Sequence, residues 1–230
     1  DGRVEIRDTA SWRLLRVLEK NPPGVSPEDA PTSRPADALA FHPSEPLLAV
    51  GYFNLGVSLW NMETGVETLA PSALYGGVCV DFSPDGARLA VGFTNDMAQI
   101  LDIRTGDVLA ELRGHRRRIQ TIRFSPDGGR LVTSSADQTV KLWDAQNGRE
   151  LLTLYQGPPR NRLEMAVCAE FSTDGRDLFE VTTGGEFFLF RAFPWRMEEY
   201  PGEGLDTLQR IEWWKRNQRL AAEITRADVA

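Results

Sequence analysis

Residues 119–144 read Ile119-Gln120-Thr121-Ile122-Arg123-Phe124-Ser125-Pro126-Asp127-Gly128-Gly129-Arg130-Leu131-Val132-Thr133-Ser134-Ser135-Ala136-Asp137-Gln138-Thr139-Val140-Lys141-Leu142-Trp143-Asp144. An apolar run closes on Phe124, and the Ser-Pro-Asp-Gly turn behind it leads into a β-rich run over 131–135. A polar turn at Asp137 then precedes a third run over 140–144. Short apolar runs separated by turn residues predict a meander of antiparallel strands.

Moving outward, the same punctuation recurs at Phe41-His42-Pro43-Ser44, Phe82-Ser83-Pro84-Asp85-Gly86 and Phe171-Ser172-Thr173-Asp174-Gly175. Successive phenylalanines lie 41, 42 and 47 residues apart, and a period of about 40–45 residues is that of propeller blades. Second strands are expected over 47–53, 89–93, 131–135 and 178–182, and third strands over 57–61, 98–102, 140–144 and 187–191. Turns holding Gly65, Gly106 and Gly148 lead to fourth strands in the first three units. The fold class predicted is an all-β β-propeller of four-stranded antiparallel blades, with blades at 36–72, 73–112, 113–156 and 163–200.

Both ends of the chain carry information. Asp1-Gly2-Arg3-Val4-Glu5-Ile6-Arg7-Asp8 aligns with Asp137-Gln138-Thr139-Val140-Lys141-Leu142-Trp143-Asp144, which predicts half a blade over 1–20, with a fourth strand at 13–18 and no inner strands. A closing outer strand is expected at 195–200. Residues 201–230 form a tail in which 205–226 predict a C-terminal helix, because Leu205, Leu208, Ile211, Trp214 and Ala222 fall near helical spacing. Half a blade plus four blades leaves a sheet edge open, a hazard that propellers remove. The expectation is therefore a piece of a larger ring, completed by an upstream part of the polypeptide or by a second chain.

At these residues the chain resembles the WD-repeat family, over about 1–200 and most strongly over 113–155, and the resemblance is to the C-terminal portion of a bacterial-type WD-repeat protein. The resemblance implies a buried hydrogen-bonded tetrad of His115, Thr133, Asp137 and Trp143, with Gly114 before the histidine and Asp144 after the tryptophan. Such groups each need a partner when buried, and linking them satisfies all four. A catalytic triad of His115, Asp137 and a hydroxyl is the competing reading; no strained nucleophile turn accompanies it. The tetrad positions become Asn54 and Trp60, Asn95 and Leu101, and Gly184 and Phe190 in the other blades, where apolar packing is expected instead.

Family partners most often use the face carrying the loops from fourth to first strand and from second to third. Two loops there are basic: Arg113 with Arg116, Arg117 and Arg118, and Arg160 with Arg162. Guanidinium groups suit carboxylates and phosphates, so these six form a candidate anion-binding patch, set against the plainer reading of solvated loops balancing nearby acids. Residues 21–35 carry five prolines and predict an exposed excursion between blades. In the tail, adjacent Trp213 and Trp214 point different ways on a helix, so one packs on the propeller while the other covers apolar ground or meets a partner.

Composition narrows the function classes. A 230-residue chain with 41% hydrophobic and 26% charged residues is an ordinary globular one. Its net charge of −7 argues against general nucleic-acid binding. Cys79 and Cys168 stand far apart, one per blade, and are expected to be inert core thiols, which with the absence of a signal-like start points to the cytoplasm. Two histidines cannot build a metal cluster. No catalytic residue, cofactor or metal is assigned. The reading is a non-catalytic protein–protein interaction scaffold that binds a protein or peptide. Phosphate or nucleic-acid recognition through the arginine patch, and a regulatory domain of a larger signalling enzyme, are the alternatives.

Overall fold

A computed structural model of the chain describes residues 3–19, 36–53, 56–69, 76–155, 166–183, 185 and 187–191. The proline-rich stretch at 21–35, Asn54, the loop with Arg160 and Arg162, Gly184, the outer strand expected at 195–200 and the C-terminal helix with Trp213 and Trp214 lie outside these residues.

Seventeen strands are described, and every pairing is antiparallel between sequence neighbours. Blade I is the pair β1 (Arg3–Arg7) and β2 (Leu14–Glu19). Blade II comprises β3 (Ala36–Phe41), β4 (Leu47–Tyr52), β5 (Gly56–Asn61) and β6 (Glu67–Leu69). Blade III comprises β7 (Gly77–Phe82), β8 (Arg88–Phe93), β9 (Ala98–Asp102) and β10 (Val108–Leu112). Blade IV comprises β11 (Ile119–Phe124), β12 (Arg130–Ser135), β13 (Thr139–Asp144) and β14 (Glu150–Tyr155). Blade V shows β15 (Ala166–Phe171), β16 (Asp177–Thr182) and β17 (Phe187–Arg191). The expected second and third strands of blades II to V, and the strand expected at 13–18, fall within a residue of these bounds, and Asp137 and Gln138 occupy the turn between second and third strands.

The first strands β3, β7, β11 and β15 lie against one another in chain order, so they form the inner layer and the fourth strands the outer one. Side chains alternate across each strand, and both faces of blades II, III and IV are apolar because each of these sits between two others. Leu89, Val91, Phe93 and Leu101 of blade III pack back on Ala49, Val57 and Leu59 of blade II. Its Ala90, Ala98 and Ile100 pack forward on Leu131 and Trp143 of blade IV. Small residues on the forward face and large ones on the backward face let the sheets interlock, which fills space as a packed core requires.

Turn chemistry repeats with the blades. In the first turn of blades III, IV and V a serine hydroxyl donates to an aspartate two residues on: Ser83 to Asp85 at 2.5 Å, Ser125 to Asp127 at 2.5 Å and Ser172 to Asp174 at 2.6 Å. Those serine hydrogen bonds hold the three carboxyls below the usual range. In the last turn Asn61, Asp102 and Asp144 do the same work with side-chain oxygens that accept backbone N–H groups.

Candidate functional site

Blade IV gathers the residues with the most chemistry. β12 carries Thr133, β13 carries Trp143, the β12–β13 turn carries Asp137, and the loop entering β11 carries His115. The Trp143 indole donates to the Thr133 hydroxyl oxygen at 2.8 Å. Thr133 in turn lies 2.7 Å from Nε2 of His115, whose Nδ1 is 3.0 Å from an Asp137 carboxylate oxygen. With a neutral imidazole protonated at Nδ1, donors and acceptors run in one direction: indole to hydroxyl, hydroxyl to Nε2, Nδ1 to carboxylate. Thr139 donates its hydroxyl to Asp137 at 2.6 Å, and the Arg116 N–H donates to it at 2.8 Å. Burial by itself would raise the Asp137 carboxyl, but the hydrogen bonds from His115, Thr139 and Arg116 outweigh it and hold the group far below the ordinary carboxylate value. Thr139 is a fifth member that sequence spacing did not single out.

The same contacts fix the arginine loop. The Asp137 carboxylate holds the backbone at Arg116, while Ser135 donates its hydroxyl to the carbonyls of Arg117 and Arg118 at 2.9 and 3.1 Å. The N–H of Ala136 also donates to Arg118 at 3.0 Å. Of the four side chains, Arg113 is tied to Glu111 at 2.7 Å and Arg118 donates to Gln120 at 3.1 Å. Arg116 and Arg117 are exposed and form no ion pair among the described residues. Arg160 and Arg162, the other part of the expected patch, lie outside the described residues.

Register shows what replaces the tetrad elsewhere. Val50, Val91, Thr133 and Glu180 occupy one position, each paired to the inner strand at Leu39, Val80, Ile122 and Ala169, and all four are fully buried. Valine fits the expected apolar packing in blades II and III. Blade V departs from it. Glu180 buries a carboxyl with neither oxygen hydrogen-bonded, and burial pushes it up to about 7. Only residue-by-residue strand alignment exposes this position, because Glu180 sits in an otherwise unremarkable Asp177–Thr182 run.

Sequence reading also missed a set of clasps between blades. His42 reaches the Gly86 carbonyl at 3.1 Å and meets Phe82 edge-on. Gly86 has φ of 74°, and a Cβ there would fall 2.3 Å from His42 Nε2, so the turn must be glycine on both counts. Arg88 donates to the carbonyls of Gly128 and Ala145 at 2.8 and 2.9 Å while lying over Phe124. Arg130 repeats this one blade on, donating to Gly175 at 3.3 Å over Phe171. On the inner strands Asp81 accepts the Phe124 N–H at 2.7 Å, and burial raises its carboxyl to about 6 against that bond.

Cys79 is buried, and burial drives its thiol up to about 12. Cys168 is only half-buried, so it is not the core thiol expected. Among the described residues no group of three or more His, Cys, Asp or Glu is placed to hold a metal ion, and no helix is long and apolar enough to cross a membrane.

Comparison with known proteins agrees with this architecture. The chain is similar to the computationally designed Ika4 protein, with a TM-score of 0.58 at 20% identity over 69% of this chain and 92% of the other. It is 36% identical over 80 residues to the cilia- and flagella-associated protein 251 of Mus musculus, a match that spans 34% of this chain and 6% of the mouse protein. That relative is eukaryotic and lends no weight to a bacterial source. Residues 106–144 match the family described as WD domain, G-beta repeat, so the blade that holds His115, Thr133, Asp137 and Trp143 carries a WD40 repeat.

Proposed function

We propose that the chain is a non-catalytic scaffold that binds an acidic protein or peptide segment through Arg116 and Arg117. Arg113, Arg118, Arg160 and Arg162 make up the rest of the basic patch. WD40 repeats in general mediate protein–protein interaction, and the observation that carries this reading is the contrast within one loop. The backbone of 116–118 is pinned by Asp137, Ser135 and Ala136, while the guanidinium groups of Arg116 and Arg117 stay unpaired among the described residues. A loop ordered before binding loses little entropy on binding.

The order Asp137, His115, Thr133 matches the connectivity of a catalytic triad. Burial speaks against catalysis: Thr133 is fully buried and already hydrogen-bonded to both His115 and Trp143, so no substrate carbonyl can reach its Oγ1. We read the four residues as a structural brace that holds the arginine loop.

The test is binding of the full chain to a glutamate-rich peptide and to a single-stranded oligonucleotide, at about 50 and about 200 mM salt. Charge reversal at both positions, Arg116→Glu with Arg117→Glu, is expected to weaken the peptide at least tenfold while leaving thermal stability unchanged. Unaltered peptide affinity in the double variant would sink the reading. Tighter binding of the oligonucleotide, falling by orders of magnitude across that salt range, would favour phosphate recognition.

A further inference from the structure

The carboxyl of Glu180 takes no part in the brace or in the clasps between blades, yet it is completely buried and neither oxygen has a hydrogen-bond donor among the described residues. Register fixes its place in the fold. Glu180 stands on β16 two residues after Leu178 and opposite Ala169 of β15, and both of these pack on Val132, Val140 and Leu154 of blade IV. Alternation along the strand puts Glu180 on the same face, so its carboxyl lies in the seam between blades IV and V.

Blade IV shows what is missing there. At the same position Thr133 accepts from the Trp143 indole and meets His115. Trp143 lies opposite Leu131, and its counterpart opposite Leu178 is Phe190, a ring with no N–H to give. Phe188, directly across the ladder from Glu180, stacks on Phe190, so this stretch of β17 is apolar too. The charged groups of the packed elements are engaged elsewhere. On the side of blade IV that meets blade V, Arg123 of β11 donates to the Ile122 carbonyl, Arg130 of β12 donates to Gly175 and lies over Phe171, and Asp144 of β13 caps the last turn. On β14 that side carries Leu152 and Leu154. Lys141 belongs to the opposite face, where it pairs with Glu150 at 2.8 Å. In blade V, Glu170 and Asp177 stand opposite Phe179 and Arg191, out of phase with Glu180, and so project from the other face.

We propose that Glu180 is a proton-controlled latch: blade V lies closed on blade IV while the carboxyl keeps its proton, and loss of that proton to solvent opens the seam between them. A carboxylate buried without donors gives up its hydration for nothing, whereas the neutral acid loses far less. Burial accordingly holds the group at about 7, while an opened blade V returns it to water and to the ordinary 4.5. The closed form is therefore favoured in full below 4.5, and that advantage is lost as pH rises through 7. Proteins open in sub-global units, and parting this one seam is enough to rehydrate the carboxylate. The latch goes beyond the binding reading and does not involve the arginine loop.

The test is amide hydrogen exchange of the full chain from about pH 5 to about pH 8, with protection corrected for the intrinsic exchange rate at each pH. A small sheet depends on packing to hold its ladder, so protection of β15, β16 and β17 should fall at least tenfold from the acid to the alkaline end while β8 and β9 of blade III keep theirs. In Glu180→Gln, which keeps the shape and cannot ionise, blade V should hold its protection at every pH. A second readout needs no variant: the carbon-13 shift of the Glu180 carboxyl should titrate with a midpoint near 7. Flat protection of blade V in the parent, a pH-dependent loss that survives in Glu180→Gln, or a midpoint near the ordinary 4.5 overturns the proposal. An equal loss in blade III also overturns it, since the carboxyl would then act on the whole fold and not on one seam.

Discussion

At the residue scale the contrast between Thr133 and Glu180 is the most instructive, since both occupy one buried position in successive blades. Thr133 joins two buried donors and acceptors, so Thr133→Val should destabilise by about 2–3 kcal/mol although valine stands at that position in two other blades. The loss comes from orphaning His115 and Trp143. Chemical denaturation of Thr133→Val, His115→Ala and the double variant should give a sum of single effects that exceeds the double by about 1 kcal/mol or more. Additivity would mean that the chain of hydrogen bonds is not a unit. Glu180 is the reverse case. Its folded pKa of about 7 lies above the ordinary 4.5, so the native state binds the proton more tightly than the unfolded state does. The favourable contribution is present in full below about pH 4.5 and is lost as pH rises through 7. Glu180→Val should raise stability at pH 8 by roughly 2 kcal/mol and flatten the pH profile between about 5 and 7, read from urea midpoints across pH. An unchanged profile would mean that the carboxyl reaches water.

At the element scale, turns and clasps decide how blades are closed and joined. Gln138 sits at φ of 73° in the β12–β13 turn, where blade V has Gly185 at 78° with the same backbone hydrogen bond to the residue three before it. A left-handed conformation disfavours side chains, so Gln138→Gly should stabilise by about 0.5–1 kcal/mol in thermal or chemical unfolding. Loss of stability would show that the Gln138 side chain makes a contribution of its own. Arg88 makes two hydrogen bonds to blade IV and stacks on Phe124. Arg88→Ala is expected to cost about 1–2 kcal/mol, and Arg88→Lys to recover less than half of it, because an ammonium cannot satisfy two carbonyls in the fork geometry. Full recovery by lysine would reduce the clasp to charge alone.

At the scale of the whole molecule, stability should follow position along the arc of blades. Among the described residues blades III and IV have a neighbour on each side, whereas blade I shows two strands and the forward face of blade V leaves Phe187 and Val181 exposed. Isolated strand pairs are marginal, and a stack in which each unit touches only its neighbours is weakest at its ends. Amide exchange is expected to be slowest in β8, β9, β12 and β13 and fastest in β1, β2 and β17. Uniform protection across all blades would point to a closed ring in solution.

The blades and their turns were legible in the chain because each depends on local rules, whereas the residues of the brace were expected only through the resemblance to the WD-repeat family. Strand period and the Ser-Pro-Asp-Gly turns are short-range signals. The arginine loop could be placed on a face for the same reason, but not sorted: Arg113 and Arg118 turn to Glu111 and Gln120, each two residues away along the chain, while Arg116 and Arg117 meet no such partner among the described residues, and side-chain orientation of this kind is not written in the spacing. Contacts between blades were out of reach of sequence reading, since they join residues some forty or more positions apart. His42, Arg88 and Arg130 look like turn and strand-edge residues until the neighbouring carbonyls arrive. The burial of Glu180 has the same origin. It stands at a repeat position that reads as ordinary in the sequence, and only the packing of the adjoining blade decides that the position meets protein and not water.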